Sequence, residues 1–539
     1  MDTQRLILFI VFSFSLLLLW ESWQEYQAAK TLPAAAQPDT VPRADILPER
    51  KVLPAAANGG APLAKGQRLS VRTDLLEAEI DTQGGDLRRV VLLKHGAATD
   101  RKKPLVLLAD EPPHYYVAQS GLLGAGLPSH KESFRAEATA YTLAPDQSTL
   151  SVRLHWESPE AVRVIKSYTF HRGSYVIDVE YEIHNAKEAA NPAAYFQFLR
   201  DDSPPEGESA LLPTYTGPAL YTEAQKFRKL AFSDIAKGVN PVTAQDGWVA
   251  MLQHYFLAAY LPPPGVAREY FARKVADNLY TAGVILPVSP GPDGALKVAT
   301  RLYVGPQEQD TLKALAPGLE LAVDYGMLTV LAAPLFWLLK TLHGWLGNWG
   351  FAIIALTVLI KLAFYPLSAA SYRSMAKLKA LAPRLQRIKE LYGDDRQKLH
   401  QAMMELYKTE KINPMGGCLP VLVQIPVFIA LYWVLLYSVE MRHAPFVLWI
   451  QDLTAPDPYF VLPILMGLSM IVQTKLNPTP PDPIQAKVMM IMPVVFYVMF
   501  FFFPAGLVLY WLVNNLLSIL QQWRINHVLA VAEKGGAAR

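Results

Sequence analysis

The chain of 539 residues has one cysteine, Cys418, so it forms no internal disulfide and offers no thiolate cluster to a metal. It has no phosphate-cradling glycine loop, which excludes P-loop nucleotide chemistry. A net charge of +3 is too small to argue for nucleic acid, and basic residues concentrate in only one loop. The apolar runs at 6–20, 351–370, 419–438, 459–474, 488–503 and 506–523 hold no histidine, and no aspartate or glutamate at depth. An intramembrane protease would need a nucleophile with its base, or paired aspartates, and neither is there. No cofactor, nucleotide or metal is expected.

Charge as a whole is scarce, at 18% against 52% apolar residues, and the imbalance is uneven along the chain. Residues 67–320 read as a soluble domain, whereas long apolar runs crowd the region after Met327. At the amino terminus, Arg5 precedes the apolar stretch Leu6 to Trp20, and Trp20, Trp23 and Tyr26 fit an interfacial aromatic belt. No small-x-small cleavage site follows directly, so residues 1–26 read as an uncleaved signal anchor rather than a cleaved peptide. The Ala- and Pro-rich stretch 27–66 reads as an extended spacer.

Within 67–320 the run Tyr175–Ile183 alternates apolar and mostly charged residues, the period of a half-buried strand. Val162–Phe170, joined to it through Arg172-Gly173-Ser174, completes a hairpin. Further strands are expected at 69–73, 75–80, 87–93, 149–156, 248–260 and 299–304. Many short strands without alternating helices predict an antiparallel sandwich.

The loop 371–417 holds ten lysines and arginines against five acidic residues, and such an excess belongs on the cytoplasmic side. With the amino terminus inside, the 67–320 domain lies outside and one crossing at 351–370 returns the chain. A second crossing at 324–346 would put the basic loop on the wrong side, so that segment is expected to lie flat as an interfacial amphipathic helix. Crossings follow at 419–438, 459–474, 488–503 and 506–523, with a cytoplasmic tail at 524–539. The expected architecture is an α-helical membrane bundle, a five-helix core plus an N-terminal anchor helix, with an inserted all-β sandwich and both termini cytoplasmic. The basic loop spells a helical hairpin, with Gly393 ending one helix and an aspartate starting the next. Its cationic face (Arg373, Lys377, Lys379, Arg384, Arg387) is either a solvated surface or a docking site for ribosomes, anionic lipids or incoming chains.

Lys361 stands out because it interrupts a run otherwise apolar enough to cross a bilayer. A charge near the centre of a membrane helix costs about 2.5–3.5 kcal/mol on insertion scales, so something must solvate the ammonium. Thr357 lies one turn before it, Gln424 sits in the next span, and Asn514 and Asn515 in the last. Such residues would line a half-open polar groove that shortens the apolar path of a polar segment entering lipid. Simpler roles stand beside this one. Lys361 can snorkel, Thr357 can bond its own helix, and Gln424 can satisfy backbone freed by Pro420 and Pro426. Asn514 and Asn515 are adjacent, so only one of them faces any groove.

The runs Lys361-Leu-Ala-Phe-Tyr-Pro-Leu367, Ser374-Met-Ala-Lys377, Tyr407-Lys408, Asn413-Pro-Met-Gly-Gly-Cys418 and Pro504-Ala-Gly-Leu-Val-Leu-Tyr510 resemble the YidC/Oxa/Alb membrane-insertase family. Thr82-Gln-Gly-Gly-Asp86 resembles the periplasmic domain of its Gram-negative type. The resemblance implies insertion and folding of inner-membrane proteins, alone or beside the Sec translocon including SecDF. Nascent chains, the ribosome and anionic lipids are the implied partners, with no direct nucleic-acid contact. It assigns to Lys361 a groove charge that is commonly arginine, so the bidentate fork of a guanidinium is replaced by a point charge. Thr357 and Trp511 match positions that meet the sliding client segment; without the resemblance Trp511 reads as packing. Two other functions remain open: a small-anion transporter using Lys361 for selectivity, and a sugar-binding outer domain.

Overall fold

The structure, a computed structural model, describes residues 63–98, 100–111, 114–186, 191–205, 214–291, 295–393, 395–410, 419–476 and 483–536. The anchor at 1–26, most of the 27–66 spacer, the Asn413–Cys418 motif, the Asn477–Pro481 turn and the last three residues of the tail lie outside them. The described residues fall into two compact units, one of 63–341 with 427–454 and one of 342–426 with 455–536.

Alternation in sequence becomes alternation in burial in the first unit. Strands Arg163–His171 and Val176–His184 pair antiparallel from Ile177 opposite Phe170 to His184 opposite Arg163, burying every second side chain. Two ten-stranded sheets form. All their pairings are antiparallel except Ser70–Arg72 with Ala140–Thr142. Leu69, Val90 and Phe196 from one sheet and Val152, Ile177 and Met251 from the other enter a single apolar core, as a sandwich requires. The expected strand 248–260 is two strands, Trp248–Leu252 and Phe256–Leu261, because Gln253–Tyr255 turns the chain back on itself. Every residue of both is buried, so no alternation marked the turn.

The Thr82–Asp86 motif makes the turn joining Leu76–Asp81 to Asp86–Gly96. Gly84 has φ +77°, and a Cβ there would lie 2.3 Å from the His130 carbonyl oxygen. The motif's carbonyls anchor the opposite sheet: Lys166 Nζ donates to Gly84 O at 3.0 Å and Tyr168 Oη to Gly85 O at 2.7 Å. Asp86 pairs with Arg88 at 3.2 Å and accepts from Gln119 at 2.8 Å, so charged groups sit inside the sandwich. Burial pushes the Lys166 ammonium down to about 7, against the pull of Asp86.

Helices α1 (Phe232–Lys237), α2 (Gln309–Leu315) and α3 (Thr329–Leu346) follow in chain order. Helix α3 falls within the segment expected at the interface, with Trp337 and Trp345 exposed.

In the second unit, α4 (Trp349–Ala363) starts on Asn348, whose side chain accepts from Phe351 N. It does not continue to 370. Pro366 disfavours helical backbone at the residue before it and cannot donate to the residue 362 carbonyl, so the chain bends by 65° at Phe364 into α5 (Tyr365–Ala380). Helix α6 (Ala382–Tyr392) stops at Gly393 and α7 (Arg396–Thr409) starts on Asp395, which accepts from Gln397 N and Lys398 N. The expected hairpin caps are the observed ones. Then come α8 (Leu419–Tyr437), α9 (Val461–Leu476), α10 (Pro483–Phe500) and α11 (Ala505–Gly536). Asp457 caps α9 by accepting from Leu462 N at 2.8 Å. Helix α11 runs through the residues expected as a tail, because nothing from Arg524 to Lys534 breaks a helix. Among the described residues no single helix is both long and apolar enough to cross a membrane; the bent pair α4–α5 passes only as a pair.

Candidate functional site

Helix α11 is the post on which the site is built, packing against α4, α5 and α9. Its run Asn514-Asn-Leu-Leu-Ser-Ile-Leu-Gln-Gln522 carries two polar stripes. Asn514, Ser518 and Gln521 recur at four- and three-residue spacing on one face, Asn515 and Gln522 on a second.

The first stripe meets Lys361. The lysine projects from α4 two residues before the helix ends, and its Nζ donates to Ser518 Oγ at 2.7 Å. Ser518 Oγ in turn donates to the Asn514 carbonyl at 2.8 Å, and the Tyr372 phenol of α5 lies near Ser518. Asn514 Oδ1 accepts from Gln424 Nε2 of α8 at 2.5 Å. One turn on, Gln521 reaches the Tyr365 carbonyl at 3.5 Å, at the bend. Among the described residues no carboxylate pairs with Lys361. Its neighbours Leu359 and Leu362 are exposed, so the ammonium sits at the edge of an apolar surface.

The second stripe locks helices together. Asn515 Nδ2 donates to Ser469 Oγ of α9 at 2.8 Å, and Gln473 Nε2 to Gln522 Oε1 at 2.9 Å. Amides between apolar helices join them more firmly than packing alone.

Of the residues expected at the groove, the structure brings together Lys361, Gln424 and Asn514, linked through Ser518. Thr357 is fully buried and gives its hydroxyl to Ile353 O at 2.7 Å, the role of a helix-bonded threonine. Asn515 faces α9. Trp511 packs against Phe496 and Phe500 of α10, with centroids 5.7 and 5.6 Å away. Arg373, Lys377, Arg384 and Arg387 are exposed on α5 and α6, Arg384 pairing with Glu410 at 2.7 Å, and Lys379 belongs to α5. Ser518, Gln521 and Tyr372 were not anticipated, although the four-residue step from Asn514 to Ser518 could have flagged the serine.

Residues 68–338 match the YidC periplasmic domain family, and residues 341–533 the 60Kd inner membrane protein family. The chain is 58% identical over 557 residues to the membrane protein insertase YidC of Methylobacillus flagellatus, covering 100% of both chains. It is 54% identical to that of Nitrosospira multiformis, with 98% of each covered. The chain belongs to the YidC membrane protein insertase family. A crystal structure of active YidC insertase with its first transmembrane domain resolved aligns to 85% of this chain and 92% of that one, at 19% identity and a TM-score of 0.40. In YidC family terms, the sandwich falls within the periplasmic match and the Lys361 cluster within the inner-membrane match.

Proposed function

We propose that this chain inserts integral inner-membrane proteins and helps them fold, without covalent catalysis, using the Lys361 cluster as a polar step into lipid. The observation that carries this is the pairing of Lys361 with a neutral hydroxyl instead of a carboxylate. A carboxylate partner would cancel the charge; Ser518 solvates it and leaves it available to attract an acidic client tail. Gln424 and Asn514 add donors and acceptors for client backbone, whose unpaired groups cost several kcal/mol each in hydrocarbon. Partition of the client into lipid and the membrane potential acting on its acidic tail supply the drive, the latter about 2.3 kcal/mol per charge per 100 mV.

In this reading the five-helix core and N-terminal anchor make six crossings with both termini cytoplasmic and the sandwich periplasmic. Helix α3 lies on the outer surface. The exposed cations of α5 and α6 support docking of ribosomes or anionic lipid. Clients are nascent inner-membrane proteins, delivered alone or beside the Sec translocon with SecDF. The test is reconstitution of the pure protein into liposomes with a single-span client. Insertion that is no faster than in empty liposomes would overturn the proposal.

A further inference from the structure

We infer that Ser518 is a positioning residue: its hydroxyl, aimed by donation to the Asn514 carbonyl, fixes the Lys361 ammonium at its depth between α4 and α11 without compensating its charge. This inference rests on the function proposed above.

The geometry leaves the hydroxyl little freedom. Its one proton goes to Asn514 O at 2.8 Å, so its lone pairs face Lys361 Nζ at 2.7 Å. Ser518 is 8% exposed, so water is a poor substitute for it. The lysine stem carries four rotatable bonds and emerges two residues before α4 ends. Without an acceptor inside, the cheapest route for the ammonium is to extend past the bend toward water. The same face of α11 holds the bend itself, through Gln521 on Tyr365 O. The stripe Asn514–Ser518–Gln521 therefore meets both the bend that Pro366 makes and the charge beside it.

The test uses the full chain in liposomes with two single-span clients that differ only in an acidic or an amide outer tail. Its first readout is the ratio of their insertion rates. A second, independent of clients, is modification of the Lys361 amine by a water-soluble acylating ester, read by mass spectrometry. Ser518→Ala is expected to lower the acidic-over-amide ratio about tenfold or more, the scale of one hydrogen bond to a charge, and to raise amine modification. Ser518→Thr, which keeps the hydroxyl, should restore both. An unchanged ratio after Ser518→Ala, or equal slowing of both clients, overturns the assignment. Lys361→Met separates the two ideas. If it erases the preference while Ser518→Ala does not, only the serine's role falls; if it also leaves the preference intact, the groove charge falls with it.

Discussion

Lys166 and Gly84 stand 82 residues apart in the chain, yet the lysine's ammonium nitrogen rests 3.0 Å from the glycine's carbonyl oxygen inside the sandwich. Burial holds the folded lysine at about 7, against an ordinary value of 10.5. Between those values the unfolded chain binds the proton and the folded chain does not, so stability rises with pH across that window. The contribution is complete above 10.5 and lost as pH falls through 7. The slope from this one group is at most on the order of 1.4 kcal/mol per pH unit. Lys166→Met should flatten it, and thermal unfolding at pH 6 and pH 9, followed by tryptophan emission, checks this. Parallel profiles for the two proteins would sink the idea.

Glu440 has the opposite sign. It sits in the turn Val439–Met441 directly after α8, and burial raises its carboxyl to about 7 from an ordinary 4.5. The folded chain holds this proton to higher pH than the unfolded one, so its contribution is full below 4.5 and lost as pH climbs to 7. Glu440→Gln should remove that loss, seen as a higher melting temperature at pH 7 relative to pH 5 than in the unaltered protein.

Gly84→Ala should destabilise the outer domain by about 2 kcal/mol or more, since it combines left-handed backbone with a collision against main chain. Gly173→Ala is the control: its φ is +68° but nothing lies within 4 Å of the new methyl, so only the conformational term of about 1 kcal/mol remains. Equal effects in urea titrations would refute the steric half of the argument.

Lys361→Arg should keep insertion of an acidic-tailed client within about threefold, because attraction needs charge rather than a fork. Lys361→Glu should reduce it by about tenfold or more, a change equal to 1.4 kcal/mol. Insertion kinetics in liposomes decide, and a fully active glutamate variant would end the electrostatic account.

Gln424 and Asn514 should be energetically coupled. Replacing each by leucine, singly and together, is expected to give a coupling of about 0.6–1.7 kcal/mol, the range measured for side-chain bonds between membrane helices. Additive single effects on unfolding in detergent would mean that the contact does not form.

Much of this architecture was legible because it follows local periods. Alternation marked Tyr175–Ile183, the Arg172-Gly173-Ser174 turn marked its partner Val162–Phe170, and a glycine followed by an aspartate marked the hairpin caps at Gly393 and Asp395. The different directions of Asn514 and Asn515, about 100° apart, follow from the helical turn alone. The bend at Phe364 was hidden, since hydropathy does not register that Pro366 denies the helix a donor. Thr357 and Ser518 were indistinguishable on paper, as each can bond its own helix. Both do, but only Ser518 has a lysine from another helix lodged against its free lone pairs.

The shortness of α4 has its own outcome. Fifteen residues make a rod of about 22 Å, roughly three quarters of a typical 30 Å hydrocarbon layer. On the function proposed above, a bilayer meeting this surface would thin to match it, and the elbow that cuts the rod short would leave Lys361 at the thinned face. In that setting the proline six residues into the 361–367 run would govern how thick an oily barrier a neighbouring segment encounters there.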